Sequence, residues 1–99
     1  MSNGTAISGK HAFITGGGHG IGGASAKVLA ANGAKLTLTG RNMEKLEAMA
    51  AKLPVAEARK LDVTDEDAVE RVFTKAAESF GDIDILINNS GIAETAPFM

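Results

Sequence analysis

The chain has 99 residues, 10 of them Lys or Arg and 12 Asp or Glu, for a formal net charge of −2. That length supports one domain with a modest core, and a near-balanced charge with no basic block offers no electrostatic attraction for nucleic acid or an anionic membrane surface. With no cysteine there is no disulfide framework and no cysteine-based zinc site, and no apolar run approaches the roughly 20 residues of a membrane-spanning helix.

The first segment, Met1 to Ser8, is polar and lacks the apolar stretch of an export signal. Together with the lack of cysteine, this leads us to expect a soluble, cytoplasmic protein. Beyond it, apolar and polar segments alternate in lengths that suit strands and helices by turns, in the order β-α-β-α-β-α-β. A first strand is expected near His11–Thr15. Its end runs into Thr15–Gly22, T-G-G-G-H-G-I-G, and six of the chain's twelve glycines lie between Gly16 and Gly23. A strand that empties through glycines into a helix is suited to a dinucleotide phosphate: the backbone can turn tightly at positive φ, and the unpaired amides opening the helix point at the anion. A flexible linker of the same composition would not need periodic apolar segments against both ends.

The first helix is expected over Gly20–Ala31, with Ile21, Ala24, Val28 and Ala31 on its buried face and Gly33 as its terminator. A second strand follows near Ala34–Thr39. The second helix, about Met43–Lys52, takes Asn42 as N-cap, buries Leu46 and Met49, and stops before Pro54. A third strand is placed near Glu57–Leu61. The third helix takes Thr64 as N-cap and has Asp65, Glu66 and Asp67 in its first turn. Val69, Val72, Phe73, Ala76 and Phe80 form its apolar face, and Gly81 ends it. The last strand is expected at Ile83–Asn88.

Right-handed crossovers would set these strands in the order 3-2-1-4, rather more than half of a doubly wound parallel sheet, with a cofactor crevice between strands 1 and 4. The expected fold is therefore α/β and Rossmann-like, with residues 1–99 forming a single, incomplete dinucleotide-binding domain. In such a unit strand 4 is an apolar edge without a neighbour, so we expect the chain to be the front part of a longer protein, or to pair with another chain.

A strict G-x-G-x-x-G at Gly18, Gly20 and Gly23 starts too late after the strand to be the usual fingerprint, and the register that fits is Gly16, Gly20, Gly22. That T-G-x-x-x-G-I-G form resembles the short-chain dehydrogenase/reductase family. Three further positions carry the resemblance: Asn88-Asn89-Ser90-Gly91 where the family has N-N-A-G, Asp62-Val63 after strand 3, and Gly81-Asp82-Ile83-Asp84 leading into strand 4. Ser90 departs from the family's alanine. The resemblance covers essentially the whole chain but only the first part of the family's usual length. It implies an NAD(P)-dependent oxidoreductase acting on an alcohol or carbonyl substrate, homo-oligomeric when complete. The cofactor-binding residues it implies are Thr15, Gly16, Gly18, His19, Gly20, Ile21, Gly22, Arg41, Asp62, Val63, Asn89, Ser90 and Gly91.

Each of these also has a plainer role. Thr15 can hydrogen-bond the glycine loop or strand 4, or be an ordinary β-branched strand end. Asp62 is placed to accept the adenine amino proton, or to cap the next helix. Asn88 and Asn89 bring amides to the crevice, or form a turn. At the end of strand 2, Thr39-Gly40-Arg41-Asn42 offers no carboxylate for the ribose 2′-hydroxyl of NAD, whereas the planar fork of Arg41 suits the 2′-phosphate of NADP. NADP is therefore favoured, with NAD as the alternative. His19 would add positive character near the phosphate when protonated.

Other chemistries fall away. No Lys-Ser/Thr follows Gly22, which excludes a Walker A loop. His11 and His19 have no ligand-spaced partners, so no metal site is expected. Asp82 and Asp84 belong to a loop and the start of a strand, not to an acid/base pair. The family's resemblance implies a catalytic Ser and Tyr-x-x-x-Lys, yet the chain contains no tyrosine. Those residues are expected beyond Met99, and no catalytic residue is assigned. A stand-alone dinucleotide-binding or partner-binding module without catalysis is the second reading.

Overall fold

A computed structural model describes residues 7–16 and 20–88, the side chains of residues 20–22 excepted. The elements are β1 (His11–Thr15), α1 (Gly20–Ala31), β2 (Lys35–Gly40), α2 (Met43–Ala50), β3 (Ala56–Lys60), α3 (Glu66–Phe80) and β4 (Ile85–Asn88). The strands form one parallel sheet in the order β3-β2-β1-β4, as the sequence led us to expect. In register, Phe13 stands between Thr37 of β2 and Leu86 of β4, and Thr37 stands opposite Glu57 of β3.

Side chains alternate along a strand, so the sheet has two faces of different chemistry. Ala12, Ile14, Leu36 and Leu38 face α1 and α2, where Ala26, Ala30 and Leu46 close a wholly apolar layer. The opposite face, toward α3, carries Phe13 among His11, Thr15, Thr37 and Thr39, all of them buried. Phe13 packs on Phe73 of α3 with ring centroids 4.4 Å apart, and Leu61 and Ala76 complete that second cluster. Burying a side chain the size of Phe13 contributes about 1.5–3 kcal/mol, which anchors α3 over a surface otherwise rich in hydroxyls.

The helix ends follow local chemistry. Asn42 caps α2, its side chain accepting from Lys45 N–H. Gly33 ends α1 and Gly81 ends α3, both at φ near +90° where L side chains are strained. The N-cap of α3 is Asp65, which accepts from Ala68 N–H at 3.1 Å, and not Thr64 as the sequence suggested. Thr64 is instead bound to Asp62 two residues back, a local side-chain turn that holds it outside the helix. Glu66 and Asp67 then stand in the first turn, where the helix dipole favours anions.

The expected buried face of α1 is also corrected at Ala24, Val28 and Ala31, while the Ile21 side chain lies outside the described residues. Val28 is 61% exposed and Ala24 and Ala31 are exposed, while Gly23, Ala26 and Ala30 lie against the sheet. The helix is apolar nearly all round, so periodicity does not single out a face. The buried positions against the sheet are held by small residues, which let the helix approach closely, with Leu29 packed partly beside them. Strand and helix limits differ from expectation by one or two residues, as hydrogen bonding at element ends decides: β2 and β3 are shifted by one, α2 ends at Ala50, and β4 begins at Ile85. β3 is the more polar edge, A-E-A-R-K, and charged side chains of this kind discourage further pairing. Among the described residues no helix is long and apolar enough to cross a membrane.

Candidate functional site

All four strands run the same way, so their C-terminal ends, and the residues just past them, share one edge of the sheet. There the chain leaves β1 at Thr15–Gly16, β2 at Gly40–Arg41, β3 at Leu61–Asp62 and β4 at Asn88. β1 connects onward to β2 on one side and is flanked by β4 on the other. The crevice of an open α/β sheet opens at such a switch point.

Thr15 takes the strand-4 option. Its hydroxyl donates to the Asn88 side-chain carbonyl at 2.8 Å, with the Ile87 carbonyl at 3.5 Å. Gly16 has φ +70° and its N–H donates to Thr39 O at 2.7 Å. That bond ties the start of the glycine loop to β2, and the Thr39 hydroxyl returns a bond to Ile14 O at 3.0 Å. The loop thus begins from a fixed, left-handed turn that a glycine adopts without strain. The chain re-enters helix at Gly20, so Gly20, Ile21 and Gly22 form the first turn of α1, the turn whose amides have no helical acceptor. Gly18 and His19, and likewise Asn89, Ser90 and Gly91, lie outside the described residues.

Asp62 and Arg41 are brought into electrostatic reach of each other across the ends of β3 and β2. The Asp62 carboxylate is exposed, and its Oδ1 accepts from the Thr64 hydroxyl at 2.6 Å and from Thr64 N–H at 3.0 Å. These bonds hold its pKa below the usual carboxylate value; burial opposes them slightly, and the Arg41 guanidinium adds a smaller pull in the same direction. Asp62 is therefore anionic at neutral pH. It does not cap α3, although its main-chain carbonyl accepts from Asp65 N–H at 3.0 Å. Val63 follows it, half-buried against the α3 cluster. Sequence reasoning missed Thr64 as the partner that fixes Asp62, though the Asp-x-Thr spacing carries that signal.

A groove of about 750 Å³ lies elsewhere, beside the beginning of β4, lined by Phe73, Thr74 and Ala77 of α3 and by Asp82, Ile83, Asp84 and Leu86. It does not include the strand-end residues. Among the described residues no cluster of His, Asp and Glu is arranged to hold a metal ion.

This parallel sheet in the order β3-β2-β1-β4, with helices on both faces and a glycine turn after β1, defines a Rossmann-like α/β class. The sequence pattern of the family described as short chain dehydrogenase matches residues 10–99. The chain is 46% identical over 87 residues to serine 3-dehydrogenase of Agrobacterium fabrum (strain C58), a match that covers 86% of this chain and 35% of that protein. It is 38% identical over 94 residues to sorbitol dehydrogenase of Cereibacter sphaeroides, covering 94% and 37%. Two variants of a Serratia marcescens short-chain dehydrogenase/reductase superpose with TM-scores of 0.81 and 0.82 at 35% and 34% identity, each over 93% of this chain and 40% of theirs. The chain belongs to the short-chain dehydrogenase/reductase family. It spans between about a third and two fifths of the length of these relatives.

Proposed function

We propose that this chain is the NAD(P)(H)-binding portion of a short-chain dehydrogenase/reductase-like oxidoreductase that acts on an alcohol or carbonyl substrate, with NADPH preferred over NADH. The observation that carries the reading is the shared strand-end edge: a glycine turn fixed to β2, an anionic Asp62 and a cationic Arg41 at adjacent strand ends. A dinucleotide needs these three chemistries along its length.

In this reading Gly16, Gly18, Gly20 and Gly22, with the main chain at Ile21, receive the pyrophosphate at the opening of α1. His19 lies in the same loop. Arg41 forks onto the 2′-phosphate. Asp62, held in place by Thr64, accepts the adenine amino proton, with Val63 beside the ring. Asn89, Ser90 and Gly91, next in sequence after β4, are assigned to the same cofactor, and Thr15 ties β1 to β4. The bound nicotinamide would supply or take up the hydride. The residues here bind and orient, and proton transfer to substrate belongs to residues this chain does not include. The relatives are named as dehydrogenases of serine and sorbitol, both hydroxyl-bearing, which fits an alcohol/carbonyl substrate.

The test is titration of the folded 99-residue chain with NADPH and with NADH, followed by cofactor fluorescence. Saturable binding with NADPH tighter is expected. Arg41→Ala should weaken NADPH by about tenfold or more, the value of a charge-assisted bond, and leave NADH nearly unchanged. Equal loss for both cofactors would remove Arg41 from the 2′-phosphate, and no binding of either by a folded chain would overturn the site.

A further inference from the structure

At the opposite end of the sheet, beneath α3, His11 is 1% exposed and both of its ring nitrogens are in hydrogen-bond contact. Nδ1 lies 2.8 Å from the carbonyl of Gly81, the residue that ends α3. Nε2 lies 2.8 Å from the Thr37 hydroxyl. A carbonyl only accepts, so Nδ1 carries a proton in every charge state of the ring. In the neutral ring Nε2 is then bare, and Thr37 donates to it. That commits the one proton of the hydroxyl. Yet the same Oγ1 stands 3.4 Å from Oε2 of Glu57, which already accepts from Arg59 Nε at 2.9 Å.

We propose that His11, Thr37 and Glu57 form a proton-responsive relay, in which a proton gained at Nε2 makes the ring the donor to Thr37 and turns the Thr37 hydroxyl to donate to Glu57. One bond reverses and another forms, and the ring and hydroxyl keep a partner in both states. The ring stands at the C-terminal end of α3, with Glu57 one hydroxyl away and Asp84 beside it, whose carboxylate accepts from His11 N–H at 3.0 Å. Cationic groups on the other strands include Lys35, the cross-strand neighbour of His11, and Arg59, which pairs with Glu57. From α3 itself the ring meets Phe80 edge-on at 5.4 Å. Asp82, in the turn after Gly81, and Lys10 are exposed.

The relay touches α3 at both of its ends: through Gly81, and through Arg59, which donates to Ser79 at 3.1 Å. The ring and the carboxylate of the relay thus each connect to the end of this helix, and the Nδ1 bond to Gly81 is kept in both charge states.

The test is NMR of the isotopically labelled 99-residue chain across a pH titration. At alkaline pH the His11 ring is expected to show a protonated Nδ1 and a bare Nε2. On acidification the Glu57 carboxylate signal should move in step with the His11 ring, before any movement of its own. Thr37→Val should abolish that concerted movement, and Thr37→Ser should restore it. A His11 ring averaged between tautomers, as in an unstructured chain, would overturn the proposal. So would a Glu57 signal that ignores His11 in the wild type, or that follows it equally in Thr37→Val.

Discussion

The hydroxyl of Thr15 donates to the side-chain carbonyl of Asn88 at 2.8 Å, joining the last residue of β1 to the last residue of β4. The bond spans the switch point of the sheet and adds a side-chain tie to the main-chain ladder that pairs the two strands. Thr15→Val keeps the branched shape and removes the donor. We expect a loss of about 0.5–1.5 kcal/mol, read as a lower urea midpoint, while Thr15→Ser should retain most of the wild-type value. A Val variant as stable as the wild type would show that the bond adds nothing to the sheet.

Gly81 tests backbone strain alone. Its φ is +90° with ψ −176°, yet a Cβ placed there would meet nothing within 4 Å. Gly81→Ala should therefore cost about 1–3 kcal/mol through conformation and not through a clash. In a domain of this size, thermal denaturation would fall by about 4–8 °C for each kcal/mol. An unchanged transition would mean that the turn relaxes to another conformation.

Asp62 gives a pH dependence with a definite sign. Its pKa is lowered in the folded chain by the Thr64 hydroxyl and N–H bonds, so the associated stability is present above the ordinary carboxylate range and is lost as pH falls through the lowered folded value. Thr64→Val removes the larger of the two contributions. Carboxylate NMR should show Asp62 titrating below the ordinary carboxylate range in the wild type and moving upward in Thr64→Val. The stability difference between the two proteins should shrink in acid. Identical Asp62 titrations would remove Thr64 as the cause.

The two faces of α1 differ in what they tolerate. Val28 is 61% exposed, whereas Ala26 is fully buried. Val28→Gln should change stability by no more than about 0.5 kcal/mol, while Ala26→Leu forces extra methylenes between helix and sheet and should cost about 1–3 kcal/mol. Chemical denaturation of the two variants side by side decides it, and the reverse ranking would place the Val28 face against the sheet.

That contrast shows where sequence reasoning reached its limit. In α3 the apolar residues fall on one stripe, and Val69, Val72, Phe73 and Ala76 do pack toward Phe13. In α1 nearly every residue is apolar or small, so several faces satisfied the same period, and only the shape of the sheet chose among them. Thr64 likewise carried a good N-cap signal, but Asp65 beside it carried one too. Asp62 decided between them by taking the Thr64 hydroxyl for itself.

By itself the sequence determined the order of elements, the caps at Asn42, Gly33 and Gly81, and the strand-end positions of Thr15, Gly16, Arg41 and Asp62. These depend on backbone preferences, short-range periodicity and the fixed hand of β-α-β crossovers, all local or general properties of L-polypeptides. Only the tertiary structure decided which side of α1 is buried, that Thr15 bonds to Asn88, that Asp62 and Arg41 influence one another, and that His11, Thr37 and Glu57, from three different strands, meet beneath α3. Those pairings join residues from 20 to 73 positions apart in the chain. They exist because parallel register sets these strands, and the residues just past their ends, side by side, and no local preference encodes which distant residue will stand opposite.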